Sequence, residues 1–403
     1  KTKAALKMGS LNLNGRGDIT TTTSKWGTVN QLLREERIGI LAVQETHLAD
    51  EDVHTIHDLY GRRLHVVNSP DPDTPTLARG VAIILNRELV DTSAVTSTHI
   101  VPGRAILTTT NWHAGKSLTI LNVYAPNAAS ENTSFWETLE RKFTTGRLRK
   151  PDIVAGDFNL VEESVDRLPM RDSPNVPLTA LKSLLSSLKV HDGWRLSNPA
   201  AKEYTYPQRG GHLRSRLDRI YASDELLQRS VTWDITVTGV PTDHCLVTAQ
   251  LTSAKSPHIG KGRWAMPTHL LLDHELIKQI TALGARELES AEESSEGASR
   301  TEEVNPQTVL HRFKTQVRVM AQKRLKQKVP KLKAAIAHLT RQRDDIQRNP
   351  NFAEDGEAQA TASMLQEQIL ELEKKRHGRA QIATTTHYNL NAEKVSKYWS
   401  AVN

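Results

Sequence analysis

The sequence predicts a mixed α/β layered domain followed by a helical extension. Three observations carry that expectation. Short apolar runs rich in Val, Ile, Leu and Thr recur through residues 1–253 and are bounded by Gly, Pro, Asn or Asp. Several of these runs follow one another with no helical pattern between them, which argues against a simple βαβ repeat. From Thr252 onward the strand signals fade and helix formers dominate.

Taken in order, the strand candidates are residues 6–13, 38–44, 64–67, 80–85, 105–110, 118–124, 153–157, 216–222, 233–237 and 245–251. Apolar residues at helical spacing fall between some of them, over 28–36 (Val29, Leu32, Leu33), 134–143 and 178–188. Residues 252–263 read as a linker, and the acidic, Ser-rich stretch 287–305 as a mobile loop. Residues 309–329 form a basic helical pattern that Pro330 should end or kink, with 331–348 continuing beyond it. Leu332, Ile336, Leu339, Arg343 and Ile346, and then Leu365, Ile369 and Leu372, recur at a 3-4 spacing, so the two segments suit an antiparallel, partly coiled-coil hairpin. The expected division is therefore a layered domain over 1–253 and a linker with helical extension over 254–403.

Composition narrows the function classes. Hydrophobic residues make up 37% of the chain, enough for a sizeable core in at least part of it. A net charge of +7 leans toward an anionic partner, though weakly, because 46 acidic residues are interspersed with 53 basic ones. The single cysteine, Cys245, excludes an intrachain disulfide framework and a Cys-rich zinc site, and points to a reducing compartment. No apolar run approaches the ~20 residues of a membrane span, so no membrane partner is expected. The chain opens on Lys1 rather than Met, which reads as a piece of a longer product.

Five separated segments place acids, amides or an imidazole at strand ends: Leu11-Asn12-Leu13-Asn14-Gly15, Val43-Gln44-Glu45-Thr46-His47, Asn122-Val123-Tyr124-Ala125-Pro126-Asn127, Ala155-Gly156-Asp157-Phe158-Asn159, and Arg216-Leu217-Asp218-Arg219 with Asp243-His244 beyond it. Each alone has an ordinary structural reading. Gly-Asp-Phe-Asn is commonly a turn, Asp243-His244 a helix cap or surface pair, and Asp218 between two arginines a local ion pair. Their joint occurrence at strand ends is what those readings leave unexplained. Asn12 and Asn14 are two apart, as are Asp157 and Asn159, so each pair projects on one face. Carboxylate and amide oxygens with one imidazole and no thiolate suit Mg²⁺ or Mn²⁺. Phosphodiester hydrolysis needs such a set: charge neutralisation at the phosphate, a carboxylate to orient or deprotonate water, and polar groups for the developing charge.

Over residues 5–253 these segments, in this order, resemble the exonuclease–endonuclease–phosphatase superfamily that includes deoxyribonuclease I and abasic-site endonucleases. The resemblance implies a four-layer αββα sandwich with its site at one edge. It implies Glu45 as the principal metal ligand, beside Asn12, Asn14 and Asp243. It further implies Asp157 as the group that orients and activates water, Asn159 as holder of that water or the phosphate, and Asp218 as the partner that raises the pKa of His244. Tyr124 and Asn127 would contact the phosphate. Asn14 departs from abasic-site enzymes, which often carry Asp there.

The segment Ser215-Arg216-Leu217-Asp218-Arg219-Ile220-Tyr221, with Thr205-Tyr206-Pro207 ahead of it, resembles endonucleases of non-LTR (LINE-type) retrotransposons rather than inositol-polyphosphate phosphatases. Gly262-Arg263-Trp264 and the helices beyond resemble the connector before a reverse transcriptase. Residues 208–216 read as a flexible basic hairpin, and Arg209, Arg214 and Arg216 as DNA contacts, against the alternative of a solvated glycine turn. Residues 323–333 read as a solvated basic helix face or a nuclear-localisation patch. The expectation is thus a Mg²⁺-dependent endonuclease (Mn²⁺ as an alternative ion) acting on DNA in the nucleus, with helix-mediated self-association or contact with a downstream reverse transcriptase. An abasic-site repair enzyme and a catalytically silent binding remnant are the competing readings.

Overall fold

The computed structural model describes residues 2–3, 5–20, 24–112, 115–146, 148–171, 173–207, 213–252, 258–259, 266, 270–271, 273–293 and 305–392. Its centre is a pair of six-stranded mixed sheets. In chain order the strands are β1 Leu6–Asn12, β2 Ile38–Gln44, β3 Leu64–Ser69, β4 Val81–Asn86, β5 Thr96–Val101, β6 Ala105–Asn111, β7 Ser117–Tyr124, β8 Ile153–Asp157, β9 Val190–Asp192, β10 Asp218–Ser223, β11 Ser230–Thr236 and β12 Leu246–Leu251. One sheet has the order β11-β12-β1-β2-β4-β3, and the other β9-β10-β8-β7-β6-β5.

The period-2 alternation of strand side chains separates two apolar layers on each sheet. Met8, Ile40, Ala42 and Ile83 of the first sheet meet Ile106, Ile120, Ile153 and Ile220 of the second in the inter-sheet core. Their odd-register neighbours face outward. Leu11, Leu41, Val43 and Ile84 pack under helices α1 Lys25–Glu35 and α2 Asp50–Tyr60. Leu121, Val123 and Val154 pack under α3 Ala129–Thr145 and α4 Asn175–Leu188. The architecture is therefore the four-layer αββα sandwich. Strands covered on both faces read as continuous apolar runs, which is why the central ones were legible.

A buried polar brace crosses the sandwich beside the strand ends. Asn122 donates through Nδ2 to the carbonyls of Val43 (2.9 Å) and Ala82 (2.8 Å), and accepts from Gln44 Nε2 at 2.7 Å. Paired at both ends, the Asn122 amide fixes the register between sheets, while Gln44 Oε1 is buried without a hydrogen-bond partner among the described residues.

The helical region is shared between two compact units. One compact unit comprises Lys1–Gly260 together with Thr340–His377, and the other Lys261–Leu339 with Gly378–Asn403. Within the first, Arg343 Nη1 donates to Gln366 Oε1 at 2.8 Å, and Ile346 packs with Phe352, Ala358 and Ala362. Within the second, Leu270, Leu276 and Ala321 form a small core, and Arg324 grips Asp273 through two bonds of 2.7 and 3.1 Å. Pro330 neither ends nor splits its helix, which runs continuously over Pro306–Gln347. A proline removes one N–H and crowds one carbonyl, and the strong helix formers on either side carry the helix past it. The acidic stretch expected as a loop is helical at its start, within His274–Glu293; residues 294–304 lie outside the described residues, as do Gly262, Arg263 and Trp264.

Candidate active site

The topology gathers the five segments. β1 and β2 run parallel with Asn12 level with Gln44, and β7 and β8 run parallel with Tyr124 level with Asp157. Antiparallel β10 begins with Asp218 opposite Asp157. The C-terminal ends of both parallel pairs thus open on the same edge of the sandwich.

Asn12 is the hub. Fully buried, its Nδ2 donates to Glu45 Oε1 at 2.8 Å and to Asp157 Oδ2 at 2.9 Å, while its Oδ1 accepts from the Asn14 backbone N–H at 2.9 Å. Asn14 Nδ2 donates to Asp243 Oδ1 at 3.0 Å. The Asn159 backbone N–H donates to Asp157 Oδ1 at 3.0 Å, and its side chain donates to the Ala125 carbonyl at 2.8 Å. Asp218 Oδ2 lies 2.8 Å from His244 Nδ1, and ligand atoms of Asp157, Asp218 and His244 all fall within 4.8 Å of one another. Asn14, Glu45 and Asn159 adopt left-handed backbone, with φ of 49°, 49° and 47°. For a non-glycine residue that costs about 1–2 kcal/mol, and such strain concentrates where function needs a side chain aimed off the strand.

Electrostatics divide the roles. Burial raises the Asp157 pKa to about 6, with the Asp218 carboxylate adding to the effect and His244 opposing it. For His244 burial disfavours the charge, but the Asp218 carboxylate, with help from Asp157 and Asp243, outweighs it and lifts the pKa to about 10. His244 is therefore cationic at neutral pH. Burial and the neighbouring Glu45 carboxylate push the Tyr124 hydroxyl well above its usual range, so it stays neutral.

The linkage sign follows from His244. Its folded pKa exceeds the ordinary 6.5, so its contribution to stability is complete below about pH 6.5 and is lost as pH rises through about 10. Thermal melts in EDTA are expected to show Tm falling over that window for the wild type. The slope should flatten in Asp218→Asn.

Lys25 and Arg104 carried no sequence signal, and the resemblance that included Thr205-Tyr206-Pro207 gave those residues no role. Lys25, nearly buried on α1, donates to the carbonyls of Leu13 (2.6 Å), Asn14 (3.1 Å) and Gly15 (2.8 Å), and so shapes the loop that presents Asn14. Arg104 stacks over the Tyr124 ring at 5.3 Å and donates to its carbonyl. Thr205 Oγ1 accepts from the backbone N–H groups of Leu217 and Asp218, and its carbonyl accepts from Cys245 N, so it clamps the segments bearing Asp218 and His244 together. The Tyr206 ring sits 4.9 Å from the His244 ring. No motif gives these roles, because each residue acts through its place in the fold.

The expected DNA contacts fare differently. Arg216 is 1% exposed and is held by Asp166 through bonds of 2.7 and 2.8 Å and by Asp192 at 2.6 Å. Its guanidinium is used up inside the protein, so it is removed from the substrate surface. Arg214 is also buried and donates to Ser363 Oγ at 2.8 Å, so it too faces inward. Asn127 is exposed in the turn after Tyr124. Arg209 lies outside the described residues.

Gly156 explains one motif position. A Cβ there would lie 1.9 Å from the Val123 carbonyl oxygen, where β8 passes β7. Gly156→Ala is expected to cost at least the ~3 kcal/mol upper end of overpacking, read as a lowered urea midpoint or as failure to accumulate soluble protein.

The donor set fits a divalent cation. Ligand atoms of Asp157 and Asp218 lie within 4.8 Å of each other and of His244. Glu45 joins Asp157 through the Asn12 amide and Asp243 bonds Asn14, while Lys25 commits its ammonium to three carbonyls and His244 commits Nδ1 to Asp218. Asp218 Oδ1 is buried without a hydrogen-bond partner among the described residues. Hard oxygen donors carrying surplus negative charge suit a cation of the Mg²⁺ type.

A sequence profile of the Endonuclease/Exonuclease/phosphatase family matches residues 9–244, more than half of the chain. The chain belongs to that family. Over 191 residues, 46% of this chain, it is 31% identical to the Transposon TX1 uncharacterized 149 kDa protein of Xenopus laevis, of which the match spans 14%. Among solved structures it is similar to an AP endonuclease from Archaeoglobus fulgidus, at 22% identity and TM-score 0.48 over 60% of this chain and 98% of that one. An AP endonuclease from Leishmania major is similar at 18% identity and TM-score 0.49, over 61% and 87% of the two chains. The endonuclease domain of TRAS1, a telomere-specific non-LTR retrotransposon, is similar at 17% identity and TM-score 0.45, over 62% and 100%.

Proposed function

We propose that this chain is a divalent-metal-dependent endonuclease that nicks DNA, leaves a 3′-hydroxyl, and belongs to a LINE-type retroelement. The observation that carries the reading is the Asn12 amide shared between Glu45 and Asp157, beside the Asp218–His244 pair. The identity with a transposon protein supports the retroelement origin.

Glu45, with Asn12, Asn14 and Asp243 at its side, would hold the ion, which when bound supplies charge neutralisation at the phosphate. Asp157 is positioned by Asn12 Nδ2 and the Asn159 N–H, and its raised pKa makes it a base suited to near-neutral pH. It accepts the proton of a water that attacks phosphorus in line. The P–O3′ bond breaks as the new P–O bond forms, and the 3′-oxygen takes up a proton to become the hydroxyl. His244, cationic and fixed through Nδ1 by Asp218, keeps Nε2 for a phosphate oxygen. Tyr124 and Asn127 supply further hydrogen bonds to the phosphate. A downstream reverse transcriptase would extend the 3′-hydroxyl, and nuclear localisation goes with that role.

The test is nicking of supercoiled plasmid, with Mg²⁺ and with EDTA, beside an intact duplex and one carrying an abasic site. Relaxation in Mg²⁺ alone, with intact duplex cut at least as well as abasic duplex, is the expected result. Equal nicking in EDTA sinks the metal-dependent reading, and strong preference for abasic duplex moves the assignment to repair.

A further inference from the structure

The short strands beside the active site rest on a helical segment that follows the sandwich in sequence. Three two-residue strands, Arg167–Leu168, Arg214–Ser215 and Tyr206–Pro207, form a small sheet with Arg214–Ser215 in the middle. A sheet this short is marginal without support on its faces. On the side of the site, Thr205 holds the amides of Leu217, Asp218 and Cys245, and Tyr206 covers the His244 ring. Support comes from residues 340–377. Leu168 and Tyr204 are buried against Phe352 and Ala362, and Arg214 donates to Ser363 Oγ. Phe352 is 1% exposed, and its carbonyl accepts from Gln359 Nε2 at 2.9 Å, which ties the turn to the following helix.

We propose that Phe352 and Ser363 are positioning residues for the nuclease site, acting through Tyr204 and Arg214 on the Thr205–Tyr206 segment that sets Asp218 and His244. The catalytic unit then extends past the family-matched residues 9–244 to include 340–377. The proposal rests on the nuclease reading for its kinetic consequence but not for its structural one.

The test uses the full chain as wild type, Phe352→Ala, Phe352→Leu and Arg214→Gln, with amide hydrogen exchange and plasmid-nicking kinetics measured side by side. Phe352→Ala is expected to speed exchange at Leu217, Asp218 and Cys245 by roughly tenfold, leaving β1, β2 and β7 protected. It should lower kcat by about tenfold with KM within about twofold, as misplacement of a catalytic group does, and Phe352→Leu should recover most of the loss. If Phe352→Ala does not fold, Arg214→Gln carries the same expectation. Unchanged exchange at the three amides overturns the proposal, as do faster exchange across the whole sandwich and local loosening without a fall in kcat. If the wild type nicks no DNA, that failure belongs to the nuclease reading. Exchange alone then decides: local loosening upholds the coupling, and unchanged protection overturns it.

Discussion

His244→Ala is expected to slow DNA nicking by about 10²–10⁴-fold while leaving the sandwich folded. The imidazole is a cation despite its burial, because Asp218, 2.8 Å away, with Asp157 and Asp243 beside it, keeps it protonated to about pH 10. Its loss removes charge from the place where negative charge develops on the phosphate. It also leaves Asp218, which is 0% exposed, without its partner, so a modest fall in Tm accompanies the kinetic loss. Asp218→Asn should produce a similar rate defect with a smaller stability effect, because an amide can remain neutral there. The double variant should be little slower than His244→Ala alone, since the two residues act as a unit. Single-turnover rates at saturating Mg²⁺ and DNA measure this directly. A double variant slowed by the product of the two single defects would mean the residues act independently.

Arg216→Ala is expected to destabilise the fold by about 3–5 kcal/mol, the usual consequence of stripping one partner from a buried ion pair. Asp166 is 0% exposed, and Arg195 and Arg216 both bond to it. Both guanidiniums also stack on Trp194, each 5.0 Å from the ring centroid. Losing Arg216 leaves Asp166 with Arg195 alone and Asp192 short of a partner. Urea denaturation followed by circular dichroism reads the loss as a lowered midpoint. Weakened DNA binding at unchanged stability would return Arg216 to the substrate surface.

Central strands were legible because both faces are buried. Ile38–Gln44 and Ile153–Asp157 are buried at every position, and their boundaries fall where the apolar runs fall. Thr96–Val101 left no pattern because four of its six residues are exposed at the sheet edge. Helix α2 left a weak pattern because its core-facing apolar residues, Val53, Ile56 and Tyr60, stand among acids and histidines and only Ile56 is buried. In the site, acids and amides announced themselves by type and spacing. Lys25 did not, and Thr205 and Tyr206 entered only as part of a resemblance without a role, since each role is defined by backbone groups or rings that only folding brings near. Arg214 and Arg216 show the opposite error. A basic hairpin in sequence reads as solvent-facing, whereas Asp166, Asp192 and Ser363, distant in sequence, supply the partners that draw those side chains inward.

In the proposed reaction a water positioned at Asp157 attacks the phosphate and expels the 3′-oxygen. Cleavage of a defined duplex in ¹⁸O-labelled water with Mg²⁺, followed by mass spectrometry of both new ends, tests it most directly. One ¹⁸O atom is expected in a 5′-phosphate and none in the 3′-hydroxyl, with the products absent in Asp157→Asn. A 3′-phosphate, an unlabelled 5′-phosphate, or undiminished cleavage by Asp157→Asn would contradict it.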